Sequence, residues 1–330
     1  MQRLFSGAVA AAALFATALS GPAEALVLKA SHQWPKGDVR DEMLRIIARE
    51  VEAADVGLEI RIYPAKSLFK PREQWRAMVE GQLDISAFPL DYASGEHPQF
   101  SATLMPGLVR NHERARRLND SEFMNRIKKI IEDAGVVVLS DAWLAGGFVS
   151  KKGCIRGPET VEGLVMRAAG PMFEEMLRAA GASIASMPSS EIYTAMQQGV
   201  LDAANTSSAS LVSYRIYEVS KCLTAPGENA LWFMYEPVLM SKKTWDRLDE
   251  AQREALLRGG RKAEEYFFQV AKDLDTRLVD VYRKAGVEVT EMTAAEYEAW
   301  IEVARTSAYR KFAEEVPGGA ELVDLALQVE

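Results

Sequence analysis

Cysteine and histidine are scarce in this chain, with two and three copies among 330 residues. The cysteines, Cys154 and Cys222, fit no zinc-ligand spacing and form no CxxC pair. The histidines, His32, His97 and His112, are too scattered for metal-ligand spacing, so no metal site is expected. Glycine-rich phosphate loops are missing as well: there is no G-x-G-x-x-G and no P-loop. The G-x-S-x-G elbow and the H-E-x-x-H helix are missing too. Acidic residues are plentiful, yet almost all fall on predicted helix faces as solvated charge. Together these absences argue against a cofactor and against an enzyme. An excess of positive charge is also lacking. The net charge of −8 gives no electrostatic attraction to nucleic acid. No Pro/Gly-rich linker and no internal repeat interrupt the chain, so any lobes must be joined by strands that cross between them.

What is present begins at the N-terminus. Gln2 and Arg3 precede an apolar run from Leu4 to Leu19, and Ala23-Glu24-Ala25 supplies the small-x-small pattern that signal peptidase reads. The run is short for a membrane helix, which needs about 20 apolar residues. Residues 1–25 are therefore expected to be a cleaved signal peptide and the mature chain to be periplasmic. No later segment is long and apolar enough to span a bilayer. The mature length exceeds what one hydrophobic core usually carries, which predicts two lobes. In an oxidising compartment Cys154 and Cys222 form one disulfide or remain two buried thiols.

Strands and helices alternate along the mature chain. Leu26–Ser31 reads as a strand, and Val39, Met43, Ile46, Ile47 and Val51 mark one face of a helix after it. Leu58, Ile60 and Ile62 alternate in a strand, Pro71 opens a helix, and Asp84–Phe88 is a short strand. His112–Ala134 reads as one helix and Val136–Ser140 as a parallel strand covered on both sides. Strands follow at Phe148–Lys151, Leu164–Ala168, Ser183–Met187 and Leu201–Asn205, with helices at Phe173–Ala180 and about Ser190–Gln198. Thr244–Ala285 is helical almost throughout, weakest at Gly259-Gly260, and Thr293 with Glu296 forms a capping box. The alternation predicts an α/β fold of parallel sheets flanked by helices.

An acidic protein that captures an anion needs a focused cation inside its cleft, and Arg167 is the candidate. It lies in the apolar strand Leu164–Ala169, where a charge is costly without a partner. The partner is either a nearby glutamate or a ligand carboxylate, whose two oxygens match the guanidinium fork.

The stretch from Gly163 to Thr206 carries a resemblance. Gly163-Leu164-Val165-Met166-Arg167 matches a G-L-K-x-R strand. Ser190-Glu191-Ile192-Tyr193-Thr194-Ala195-Met196-Gln197-Gln198-Gly199 matches an S/E-x-Y-x-A-L-Q-x-G helix, and Leu201-Asp202-Ala203 stands at a V-D-G strand. These motifs resemble the solute-binding proteins of TRAP (tripartite ATP-independent periplasmic) transporters, over nearly the whole mature chain. Lys151 and Met240–Trp245 look like the family's too. The resemblance implies a two-lobed periplasmic binding protein fold, with strands crossing between lobes and a long helix bracing both. The lobes are expected at 26–145 plus about 235–275, and at 146–234 plus about 276–330. It also implies that Arg167 holds the ligand carboxylate. Gln33, Trp34, Phe88, Asn205 and Thr206 fall at strand ends where the family places ligand contacts. Asp202-Ala203 replaces the family's Asp-Gly, which leaves the register at Asn205 or Thr206 open. Where several members carry a second arginine this chain has Gly147, implying one cation fewer and more room. Trp143, Trp232, Ser189 and Glu236 complete the candidate set, and the aromatics suggest a monocarboxylate with an apolar or aromatic body.

The implied function is capture of a small organic carboxylate by a monomer and delivery to the integral membrane subunits of a TRAP transporter. A component of an ATP-driven importer, a sensor's receptor, and a periplasmic enzyme on the same architecture are the competing readings.

Overall fold

The structure is a computed structural model describing residues 25–228 and 230–329. The signal-peptide reading of residues 1–25 therefore lies outside the described residues, apart from Ala25. No described helix is long and apolar enough to cross a membrane.

Along the chain the strands are β1 Leu26–Ser31, β2 Leu58–Tyr63, β3 Ile85–Ala87, β4 Val136–Ser140, β5 Trp143–Ser150 and β6 Val165–Arg167. They continue as β7 Ser183–Ile184, β8 Ala203–Ser207, β9 Cys222–Ala225, β10 Trp232–Tyr235, β11 Val238–Ser241 and β12 Glu288–Glu291. One sheet has the order β2-β1-β3-β11-β4; the other runs β12-β9-β5-β8-β6-β7, with β10 beside β5. The α/β architecture thus divides into two lobes, one around each sheet.

The sheets are mixed rather than parallel. β1 runs parallel to β2 and β3, but β11 enters antiparallel between β3 and β4. The unbroken apolar run of β4 reflects cover on both faces, by helices Glu122–Asp133 and Glu250–Lys284, not parallel pairing. β5 likewise pairs antiparallel with β8, β9 and β10. The crossing strands explain the departure. β4 passes through Asp141 and Ala142 into β5, and β10 returns through Glu236 and Pro237 into β11. The two connections are tied where the Glu236 N–H donates to the Ala142 carbonyl at 2.8 Å.

The bracing helix Glu250–Lys284 spans 35 residues, about 50 Å at 1.5 Å per residue. It packs on helix Val39–Ala54 and β4 of the first lobe, and on helix Ser208–Ser213, β9 and β12 of the second. It begins later than the sequence suggests. Asp249 caps it in a box with Gln252, and Lys242–Trp245 is a separate turn. Gly259 and Gly260 do not weaken it, because they let the backbone approach Ile47 and the Leu139 carbonyl, where side chains would collide. The expected helix His112–Ala134 is two helices, His112–Leu118 and Glu122–Asp133, because Ser121 accepts from the Met124 N–H and opens a new one. The closing helix Gly319–Leu327, expected in the second lobe, packs on Glu122–Asp133 of the first, with Arg126 paired to Glu321 at 3.0 Å. Cys154 and Cys222 form a disulfide joining the segment after β5 to the start of β9.

Candidate binding site

Arg167 ends β6 and is 1% exposed. Its Nε donates to the Met187 carbonyl at 2.9 Å, Nη1 to the Asn205 carbonyl at 2.7 Å, and Nη2 to the Tyr92 hydroxyl at 3.1 Å. Those bonds use three of the five N–H donors of a guanidinium. Among the described residues no carboxylate pairs with it within 4.0 Å. Burial lowers its pKa, the direction expected of a cation that lacks an anion.

Tyr92 is the contact that joins the lobes here. It stands on the short turn Leu90–Ala93 of the first lobe. Its hydroxyl accepts from Arg167, from the Ser189 N–H at 3.0 Å and from Gln33 Nε2 at 3.5 Å. Phe88 packs edge-on against its ring at 6.2 Å. Arg167, Asn205, Gln33, Ser189 and Phe88 are thereby gathered around one interlobe contact.

Several buried polar atoms in this region have no partner. Neither end of the Asn205 side-chain amide is hydrogen-bonded, although the residue is fully buried. Gln33 Oε1, Trp232 Nε1 and both oxygens of Asp91 are also unpartnered. Each such group costs about 1–3 kcal/mol. The register at the end of β8 is now defined. Asn205 and Thr206 lie on opposite faces of the strand, Thr206 opposite Gly147 and Asn205 opposite Phe148.

Three sequence-predicted residues serve elsewhere. Trp34 and Glu236 belong to a second buried network centred on Arg40. The Arg40 guanidinium lies 3.9 Å over the Trp34 ring, pairs with Glu236 at 2.8 Å and Asp38 at 2.7 Å, and reaches Ser207 and Ser210 across the lobes. Trp143 lines a cavity of about 240 Å³ behind the crossing strands, with His112, Phe268 and Glu264, and donates to Asn119 at 2.8 Å. Gly147 does not enlarge the cleft. A side chain there would strike the Thr224 carbonyl, and one at Gly146 would strike the Thr206 carbonyl and the Trp232 ring. These glycines let β9 and β10 lie close against β5.

Sequence reasoning missed Arg40, Asp91 and Tyr92. A signal for Arg40 existed, since it falls on the apolar stripe of Met43, Ile47 and Val51 in the first helix. Tyr92 follows Phe88 by four residues, on the same cleft edge.

Residues 30–315 match the family described as bacterial extracellular solute-binding protein, family 7. A solute-binding protein of Albidiferax ferrireducens is 38% identical over 312 residues, covering 93% of this chain and 92% of the relative. The C4-dicarboxylate-binding periplasmic protein DctP of Rhodobacter capsulatus is 26% identical over 334 residues, covering 98% of this chain and 97% of DctP. Among solved structures, a TRAP periplasmic solute-binding protein from Rhodoferax ferrireducens with bound malonate superposes with a TM-score of 0.89. It is 38% identical, and the match covers 92% of this chain and 98% of that one.

Proposed function

The chain belongs to the family 7 bacterial extracellular solute-binding proteins of TRAP transporters, and we propose that it captures a small organic carboxylate between its lobes with Arg167 as the anchor. In this reading it is exported with a cleaved signal peptide and works in the periplasm as a monomer. It performs no chemistry on the solute and hands it to the integral membrane subunits of the transporter, with neither metal nor cofactor. The lobes turn about Asp141–Ala142 and Glu236–Pro237, the first comprising 26–140 with 238 to about 275 and the closing helix. Ligand closes them by hinge motion.

One observation carries the reading. A fully buried guanidinium has two N–H donors free and no carboxylate, beside a buried asparagine whose amide is unpartnered at both ends. A carboxylate seated there would accept two parallel hydrogen bonds from Arg167. The malonate in the Rhodoferax ferrireducens relative supports the same ligand class.

Calorimetry with malonate, succinate and pyroglutamate tests it, alongside melting of the ligand-free protein. Arg167→Ala should weaken the best binder by several hundred-fold or more, equivalent to about 3–5 kcal/mol. Arg167→Lys should fail as well, because an ammonium keeps the charge and loses the fork. Parental affinity in Arg167→Lys would show that Arg167 is structural.

A further inference from the structure

Asp91 adjoins Tyr92 on the turn Leu90–Ala93 and is 2% exposed. Neither carboxyl oxygen has a hydrogen-bond partner among the described residues. The carboxyl rests on Gly170, so closely that a Cβ at that glycine would fall on Asp91 Oδ2. Gly170 lies three residues beyond Arg167, where the chain turns from β6 into helix Pro171–Ala179. The first lobe thus delivers an acid to the strand end from which the second lobe presents its carboxylate-binding arginine. Burial pushes the Asp91 pKa up to about 7. The Ser101 hydroxyl, which lies near the carboxyl without meeting hydrogen-bond geometry, favours the charged form together with the charges of Arg72 and Arg167, and Glu174 opposes it. Arg72 lies 5.4 Å over the Tyr92 ring and donates to Ser186 Oγ at 3.0 Å, so it adds positive charge to this end of the site without bonding to Asp91.

An unpartnered buried carboxyl is a poor neighbour for a second anion and a good acceptor for a donor. While ionised, Asp91 disfavours a second carboxylate by like charge. With its pKa raised to about 7, that discrimination holds at pH 8 and fades toward pH 5, so the affinities are compared at pH 8. An alkyl or phenyl acid would leave Asp91, the Asn205 amide and Gln33 Oε1 without partners, which is the costlier outcome.

We propose that Asp91 sets the specificity of the cleft, and that the solute is a monocarboxylate carrying a hydroxyl, amide N–H or ammonium group that donates to the Asp91 carboxylate. This rests on Arg167 being the anchor, and it replaces the apolar or aromatic body suggested by the sequence. Trp34 is committed to Arg40 and Trp143 to a separate cavity, whereas the unpartnered atoms near Arg167, the Trp232 indole N–H among them, are polar.

The test uses matched acids differing in the donor: lactate against propionate, pyroglutamate against cyclopentanecarboxylate, and gluconate against hexanoate, with malonate as the dicarboxylate. Affinities are measured by calorimetry on the parent, Asp91→Ala, Gly170→Ala and Arg167→Ala. In the parent at least one donor-bearing acid should bind about tenfold or more tighter than its partner, and tighter than malonate. Asp91→Ala should bring that ratio close to one. Gly170→Ala, which displaces the Asp91 carboxyl while keeping its charge, should reduce the ratio as well. Gly170 has extended backbone (φ −156°), so alanine adds no backbone strain and only the Asp91 side chain must give way. A ratio that survives Asp91→Ala would overturn the proposal, as would malonate or the donor-free acids binding best, or no donor-bearing acid binding the parent. Failure of the Arg167 assignment reads differently: Arg167→Ala would then bind the same acids as the parent.

Discussion

Two arginines are buried side by side in function but not in company. Arg40, on the first lobe, has a carboxylate on either side, hydroxyls from the other lobe and an indole beneath it. Arg167, on the second, has two carbonyls and a phenol. Taking either charge out of water costs several kcal/mol, and only Arg40 recovers that cost inside the protein. The difference assigns the roles. Arg40 is satisfied within the fold and at the interlobe contact, whereas the proposal gives Arg167 a partner that is not part of the chain.

The strongest way to break this comparison is to remove Arg40. Arg40→Ala leaves Asp38 and Glu236 buried without their cation, and should cost about 3–5 kcal/mol of stability. For a chain of this size that lowers the melting temperature by about 10 °C. Arg167→Ala should move the ligand-free melting temperature far less while removing binding. If both variants melt alike, Arg167 is as structural as Arg40 and the contrast disappears.

The second lobe draws stability from another source. The Cys154–Cys222 disulfide closes a sequence separation of 68 residues. On the chain-entropy model this contributes about 4 kcal/mol, and often less in practice. Cys154→Ser with Cys222→Ser should therefore lower the unfolding free energy by up to that amount, seen as a lower denaturant midpoint. Carboxylate affinity at Arg167 should stay within about twofold, because the bridge does not touch the site. A large loss of affinity at intact fold would tie the disulfide to the cleft.

The same two arginines show what the sequence carried and what it did not. Arg167 stood out because a charge in a short apolar strand needs a partner. The strand left a glutamate and a ligand carboxylate equally open, and only the resemblance chose between them. Arg40 showed as a misfit on its apolar stripe, but its role was not readable, because its decisive partner Glu236 lies 196 residues away and the nearby Asp38 looks like an ordinary helix cap. Helices with caps, such as Ala294–Ala304 behind Thr293, were readable from local pattern. The antiparallel entry of β5 and β11 was not, since an apolar run reads the same whichever way its neighbours point. The aromatics were ambiguous for a similar reason: Trp34 and Trp143 look alike in sequence whether they face a ligand, an arginine or a hinge cavity.

The smallest expected effect is on pH dependence, and it too separates the carboxylates near the two arginines. Burial raises Asp38, but the charge and hydrogen bonds of Arg40 outweigh it and hold the pKa below normal. Burial also raises Asp41, but hydrogen bonds from His32, Arg45 and the Gly37 N–H outweigh it. Groups lowered in the folded state stabilise it above the ordinary aspartate pKa of about 3.9, and that contribution is lost as pH falls below it. Asp91, raised to about 7, works in the other direction. Between about pH 4 and pH 7 the folded state keeps a proton that the unfolded chain has released, so stability declines as pH rises through that window. Three units would amount to about 4 kcal/mol at 1.36 kcal/mol per unit. A cleft that opens and hydrates the carboxyl leaves less than this, because hydration removes the desolvation that raises the pKa. Glu236, also raised by burial, adds to the same decline. Urea unfolding of the ligand-free protein should therefore find it more stable at pH 5 than at pH 8. Asp91→Asn should remove most of that difference and leave the loss below pH 4 intact. If the decline toward pH 8 persists undiminished in Asp91→Asn, it belongs to Glu236 in the Arg40 network, and the unpaired acid beside Arg167 is hydrated at rest.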